Sequence, residues 1–366
     1  MQGTALGWSP FFESQIDARE RTAGLEPARV IGQRRNLFRL SNGEVEVDAE
    51  VRGRLRFQAR SGGTEVLPVV GDSVLATELT SAGLSQGRSS IERVLDRCTQ
   101  IRRKGAGRVT ESQVLAANVD EAWIVMGLDE DFNLRRLERY LILVRESRVL
   151  PVVLLNKADL EISNRTARMD ACRSVVLGAP VHAISARSKD GLEALCAEAL
   201  LPGRTIALLG SSGVGKSTLV NALAGQPLLR TSEVRASDGR GRHTTTERTL
   251  IELAGGACII DSPGLREIQL WVDGDAGAGM TCTFGDIDDL ARDCRFRDCT
   301  HDLEPGCAVR AAIEDGTIDA GRLESHRALL RELAHLEERR DARARRERKR
   351  QTKIIHRALR RGPKRG

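Results

Sequence analysis

The chain has 366 residues, with 57 Lys and Arg against 51 Asp and Glu, 40% hydrophobic and 3% aromatic residues. That length supports two or three domains with sizeable cores, and 30% charged residues with 35 scattered glycines exclude collagen-like and wholly disordered chains. The net charge of +6 divides unevenly: residues 339–366 hold 14 Lys and Arg and 2 acidic residues, +12, leaving 43 basic and 49 acidic residues, −6, in the rest.

The opening segment MQGTALGWSPFFESQID has neither a basic n-region nor a long apolar core, so it does not read as a signal peptide. Apolar runs such as residues 149–155 are too short for a bilayer, and a cytoplasmic monomer without membrane contact is expected. Residues 1–26 lack periodicity and read as a flexible N-terminal extension. Over residues 27–95 the runs VIGQRRNLFRLS, EVEVDAEV and VVGDSVLATEL alternate apolar and polar positions, with Asn42-Gly43 as a hairpin signal, and predict an OB-like β-barrel. Residues 96–270 change to short buried strands (AWIVM, PVVLLN, VHAIS, TIALLG, ACIID) alternating with helical segments such as LRRLERYLILVRES, the pattern of a parallel sheet covered on both faces. Residues 271–338 contain a glycine-rich loop, a cysteine cluster and a helical stripe through Leu323, Leu329, Leu330, Leu333 and Leu336; residues 339–366 are a basic tail. The fold class is therefore multidomain α/β, with a barrel, a P-loop domain and a small helical metal-binding domain.

The motifs that carry chemistry sit in the α/β part. Gly210, Ser211, Ser212, Gly213, Val214, Gly215, Lys216 and Ser217, followed by Thr218, match G-x-x-x-x-G-K-[ST] between an apolar strand and an apolar-periodic helix. The glycines let backbone N–H groups converge on phosphates, Lys216 reaches the β- and γ-phosphates, and the Ser217 hydroxyl suits Mg²⁺. Asp261, 45 residues after Lys216 and directly after ACII, is placed to hold Mg²⁺ through water. Asn156, Lys157, Ala158 and Asp159 follow the strand PVVLL. A carboxylate at Asp159 accepts both adjacent donors of guanine and is left unpaired by adenine, Asn156 suits the base's other edge, and the Lys157 stem packs beside the ring. Ser185 and Ala186, after VHAI, complete the set that reads the base O6.

These motifs resemble those of guanine-nucleotide-binding P-loop proteins in an unusual order, since Asn156–Asp159 and Ser185-Ala186 precede Gly210. That order is similar to the circularly permuted GTPases, and Gly241-Arg242-His243-Thr244-Thr245-Thr246 resembles switch I of the ribosome small-subunit-dependent GTPase A family, RsgA or YjeQ. The resemblance spans about residues 28–336. It implies that one of Thr244, Thr245 and Thr246, undecided among them, completes Mg²⁺ coordination, and that the protein hydrolyses GTP during late maturation of the small (30S) ribosomal subunit while contacting ribosomal RNA. Leu265 stands where small GTPases carry a water-orienting glutamine, so slow intrinsic hydrolysis is expected, with a partner ordering switch I and His243 as the candidate near the attacking water.

Cys294-x4-Cys299-x-His301-x5-Cys307 supplies three thiolates and an imidazole, a closed Cys₃His set suited to one structural Zn²⁺, and the family resemblance extends through CRFRDCTHDLEPGCAV. Cys98, Cys172, Cys196, Cys258 and Cys282 lack such partners and read as small buried hydrophobes. The tail can neutralise RNA phosphates but has almost no aromatic residues for stacking, so the salt dependence of RNA binding is expected to reside there. Two other readings share these motifs: a GTP-binding switch module with incidental hydrolysis, and an ATP-dependent RNA-binding protein.

Overall fold

The computed structural model describes residues 5–34, 37–62, 66–77, 79, 89–104, 112–160, 164–229, 248–261 and 277–339. Residues 5–25, read from sequence as part of a flexible extension, are built into the fold. A 3₁₀ turn at Ala5–Gly7 is followed by α1 (Pro10–Glu13) and α2 (Ala18–Thr22). Asp17 and Glu20 close a capping box at α2, and Phe12, 2% exposed, packs with Leu75 and Leu95 while Trp8, Ile16 and Leu25 cover them. The segment lacks a repeat because its apolar residues serve a docking patch, which needs no helical or strand period.

Five strands then close into a barrel: β1 (Glu26–Arg34), β2 (Leu37–Ser41), β3 (Glu46–Val51), β4 (Ser73–Ala76) and β5 (Ser89–Val94), hydrogen-bonded in the order β1-β2-β3-β5-β4 and back to β1. Helix α3 (Gly53–Gly62) lies between β3 and β4 in sequence. The run VIGQRRNLFRLS divides into two antiparallel strands, and the Asn42-Gly43 signal marks the β2–β3 hairpin, where Asn42 Oδ1 accepts from the amides of Glu44 and Val45, both at 3.0 Å. Alternate residues Val47, Ala49 and Val51 point into a core with Val30, Phe38, Leu40, Val74 and Ile91, as the period of two requires. The closed ring is the OB-like architecture expected from the sequence.

The barrel and the α/β domain share a strand. Residues Glu26, Pro27, Ala28 and Arg29 of β1 pair with β4, whereas Gly32 and Gln33 pair with β12 (Arg248–Glu252) of the α/β part, so that one sheet runs through both, and the register of β1 against β2 shifts between Val30 and Gly32. Arg29, 4% exposed, donates to the Leu6 carbonyl (2.8 Å), the Asn118 carbonyl (3.1 Å) and Thr205 Oγ1 (3.3 Å). Burial pushes its pKa below the usual arginine value. The barrel and the α/β part lie within one compact unit. Strands β6 (Gln100–Lys104) and β7 (Ser112–Ala117) pair as a two-stranded sheet.

The α/β part comprises β8 (Glu121–Gly127), α4 (Leu134–Glu146), β9 (Leu150–Asn156), α5 (Arg165–Val176), β10 (Val181–Ala183), α6 (Leu192–Ala199), β11 (Thr205–Leu209), α7 (Lys216–Ala224), β12 and β13 (Cys258–Asp261), in sheet order β10-β9-β8-β11-β13-β12. All neighbours are parallel except β12 with β13. Along β8, Trp123 and Val125 enter one core while Ile124 and Met126 enter the other, so both faces of the strand are buried and the sequence reads as an unbroken apolar run. In such a sheet the crevice at the carboxyl ends of the strands receives ligands. Among the described residues no helix is long and apolar enough to cross a membrane.

A second compact unit begins at Phe284, where α8 (Ala278–Ala291) bends (φ −118°). It contains α9 (Ala308–Glu314) and α10 over residues 320–339. Arg322 forms a two-pronged pair with Asp286, both contacts at 2.8 Å, and stacks over the buried Phe284 ring at 4.8 Å.

Candidate functional site

The loop after β11 has the backbone that its glycines permit. Gly210, Gly213 and Gly215 have φ of +139°, +84° and +97°, and a Cβ at Gly210 would lie 2.3 Å from the Val125 carbonyl, one at Gly215 2.4 Å from Asn156 Nδ2. Lys216, 5% exposed and first in α7, donates from Nζ to the carbonyls of Gly210 (2.7 Å) and Ser211 (2.6 Å), which holds the ammonium in the loop's concavity. Ser217 and Thr218 are half-buried in the same turn, Val214 is buried and Ser212 is exposed. Asp261, 3% exposed, ends β13, the strand hydrogen-bonded beside β11.

Asn156, Lys157, Ala158 and Asp159 leave the end of β9, and Ser185 and Ala186 leave β10 beside them. The structure draws the first group against the phosphate loop and the second against the first. Asn156, 2% exposed, donates from Nδ2 to the Val214 carbonyl at 2.7 Å and accepts the Ala186 amide on Oδ1 at 2.9 Å. Its side-chain amide thus ties the end of β9 both to the phosphate loop and to the segment after β10. Ser185 Oγ donates to Asp159 Oδ1 at 2.7 Å and accepts from the Ser188 amide at 3.0 Å, so it orients the exposed Asp159 carboxylate. Ala158 is tied by its amide to the Ile184 carbonyl at 3.0 Å.

Three residues escaped the sequence reading. Asp129 and Asp131 follow β8, with Lys157 Nζ 2.6 Å from Asp129 Oδ2 and Ser211 Oγ 2.8 Å from Asp131 Oδ1. Tyr140 of α4, the chain's one tyrosine, is 4% exposed and meets the Gly210 backbone; burial pushes its pKa up to about 12. The available signal was the DED triplet at the carboxyl end of a buried strand, a position where ligand-site residues concentrate. His243, Thr244, Thr245, Thr246, Leu265 and the tail at residues 340–366 lie outside the described residues.

In the second unit the ligand atoms of Cys294, Cys299, His301 and Cys307 all lie within 4.8 Å of one another. Cys294 Sγ is 3.8 Å from Cys307 Sγ, and His301 Nδ1 is 3.6 Å and 3.4 Å from these two sulfurs. A tetrahedral ion with thiolate bonds of about 2.3 Å and an imidazole bond of about 2.0 Å requires edges of roughly 3.8 and 3.5 Å. The donor set fits. Burial raises the Cys294 pKa, but the Val309 and Ala308 amides at the start of α9 outweigh it and hold the thiol below its usual value. The Arg310 amide donates to Cys307 Sγ at 3.4 Å, which makes a ligand serve as the α9 N-cap. Of the remaining cysteines, Cys172 and Cys258 are buried as expected and Cys196 partly so; Cys98 and Cys282 are exposed, a departure from the sequence reading that follows from their place in connecting or end-of-unit segments.

A family model described as RsgA GTPase matches residues 94–271. A protein of Opitutus terrae named small ribosomal subunit biogenesis GTPase RsgA is 45% identical over 354 residues, covering 94% of each chain. The chain belongs to the RsgA GTPase family. Among solved structures, YjeQ from Thermotoga maritima aligns with a TM-score of 0.59 at 23% identity, covering 85% of this chain and 99% of that one. A structure titled YloQ, a circularly permuted GTPase, aligns at 0.55 and 22% identity, covering 87% and 96%. Membership of this family makes the chain a GTP-hydrolysing enzyme, and the order of its strands and motifs agrees with a permuted GTPase fold.

Proposed function

We propose that this GTPase acts in the cytoplasm, as a monomer, on the small ribosomal subunit during its maturation, contacting ribosomal RNA through its barrel and its metal-binding segment. The observation that carries the reading is the 45% identity, over 94% of both chains, to a protein named for that role. The base is read by Asp159, oriented by Ser185, with the Lys157 stem beside the ring; Lys216 and the loop amides take the phosphates. Ser217 and Asp261 would hold Mg²⁺, which when bound neutralises phosphate charge. Lys216 stabilises charge developing on the transferred phosphoryl group as water attacks it, and the phosphate loop holds that group in line. Cys294, Cys299, His301 and Cys307 would hold Zn²⁺, a closed set that stabilises the fold and performs no catalysis. Between the first two ligands, Arg295, Phe296 and Arg297 are exposed, with the Arg295 guanidinium 5.5 Å from the Phe296 ring, a surface suited to a phosphate backbone and an unpaired base.

The decisive experiment is GTP turnover alone, with isolated small subunits, and with large subunits as control. Stimulation by small subunits only is expected. Equal rates in all three reactions overturn the ribosomal role and favour an incidental hydrolysis within a switch module. Asp159→Asn should abolish the preference for GDP over ADP in competition; unchanged preference refutes the base-site assignment.

A further inference from the structure

The connection from β8 to α4 lies between the two halves of the nucleotide site, because β8 is hydrogen-bonded to β9 on one side and β11 on the other. Its residues reach both. Asp129 Oδ2 lies 2.6 Å from Lys157 Nζ, on the base side, while Oδ1 accepts the Asp131 amide at 3.1 Å. Asp131 Oδ1 accepts Ser211 Oγ at 2.8 Å, on the phosphate side, and pairs with Arg136 Nη2 at 2.7 Å.

The loop is itself held. Arg168 of α5 donates to the carbonyls of Leu128 and Asp129 and lies 5.2 Å from the centre of the Phe132 ring. Arg136 also donates to the Asp131 carbonyl. A side chain at Gly127 would come within 2.2 Å of Asp129 Oδ1, so the glycine opens the space into which this carboxylate folds. Lys157 has φ of +66°, a left-handed conformation that persists at a non-glycine residue only where its surroundings enforce it. The Ala158 amide on the Ile184 carbonyl, at 3.0 Å, holds the backbone there, and the ion pair with Asp129 fixes the side chain.

We propose that Asp129 and Asp131 are positioning residues of the guanine-nucleotide site: Asp129 fixes the Lys157 stem beside the base, Asp131 fixes Ser211 of the phosphate loop, and the loop joins the two halves. The inference rests on the assignment of residues 156–159 to the base. It adds that GDP retention depends on two carboxylates outside the recognised motifs.

The test uses the full-length protein and N-methylanthraniloyl-GDP. Asp129→Asn keeps the shape of the side chain and its acceptor for the Asp131 amide while removing the charge. GDP dissociation should quicken about tenfold, and in GTP turnover KM should rise by a larger factor than kcat falls. Asp129→Glu should restore part of the loss. In a double-mutant cycle, Lys157→Met should quicken dissociation similarly, and adding Asp129→Asn to it should change little, since the two act through one contact. Asp131→Asn should quicken dissociation with Lys157 intact. Additive effects of Asp129→Asn and Lys157→Met, or dissociation rates within twofold of the parent in both aspartate variants, overturn the proposal. Asp159→Asn separates the two levels: loss of guanine preference there with no effect at Asp129 sinks only this inference, whereas unchanged preference sinks the base-site reading beneath it.

Discussion

Gly215 illustrates how much of the site is decided by single atoms. Its φ of +97° and the 2.4 Å approach of Asn156 Nδ2 leave no room for a methyl group. Gly215→Ala should therefore weaken GDP binding at least tenfold by strain and by displacing the Asn156 brace; an unchanged dissociation constant would show that the loop tolerates both. The Asp129 carboxyl is a second case. Burial raises its pKa, but the Lys157 ammonium and the Asp131 amide outweigh that and hold it below the ordinary 3.8. A depressed carboxylate contributes fully above its ordinary pKa and is lost only as pH falls through the lower folded value. The ratio of GDP dissociation rates between parent and Asp129→Asn should accordingly stay constant from pH 8 to pH 5; convergence of the two rates within that range would contradict the assigned protonation.

At the scale of elements, the apolar runs were legible because both faces of β8, β9 and β11 are buried and β-strand spacing is local. Helix α4 was legible because its 3.6-residue period is equally local, and Asn133 starts it by accepting the Arg136 amide at 2.9 Å. Asn133→Ala should lower stability by about 1 kcal/mol, read as a lower urea midpoint. A larger loss would mean that Asn133 also supports the adjoining loop. Strand β1 was harder to read. Its alternation announced a barrel strand, but nothing in the run VIGQRR states that Gly32 and Gln33 pair with Thr249 and Arg248, more than two hundred positions away. A strand has two edges, and its sequence pattern reports only its faces.

At the scale of the molecule, the unit beginning at Phe284 holds its proposed metal set within fourteen positions of one loop, whereas the nucleotide site belongs to the other unit. Removing the metal with a thiophilic chelator, Mg²⁺ being kept in excess, should abolish one calorimetric unfolding transition and leave GDP binding intact. Loss of GDP binding together with that transition would instead show that the two units depend on one folding event.

The motif chemistry, its permuted order and the Cys₃His spacing were determined by the sequence alone, because each is a matter of residue types a few positions apart whose geometry the covalent chain sets. Tertiary structure decided what those groups touch. Asn156 ties the segment after β9 to the phosphate loop, Ser185 bonds Asp159, and Asp129 and Asp131 reach Lys157 and Ser211, all because strand order brings β10, β9, β8 and β11 side by side. A hydrogen-bond partner is chosen by proximity in space, and for groups separated by 26 to 80 positions that proximity exists only once the sheet has formed.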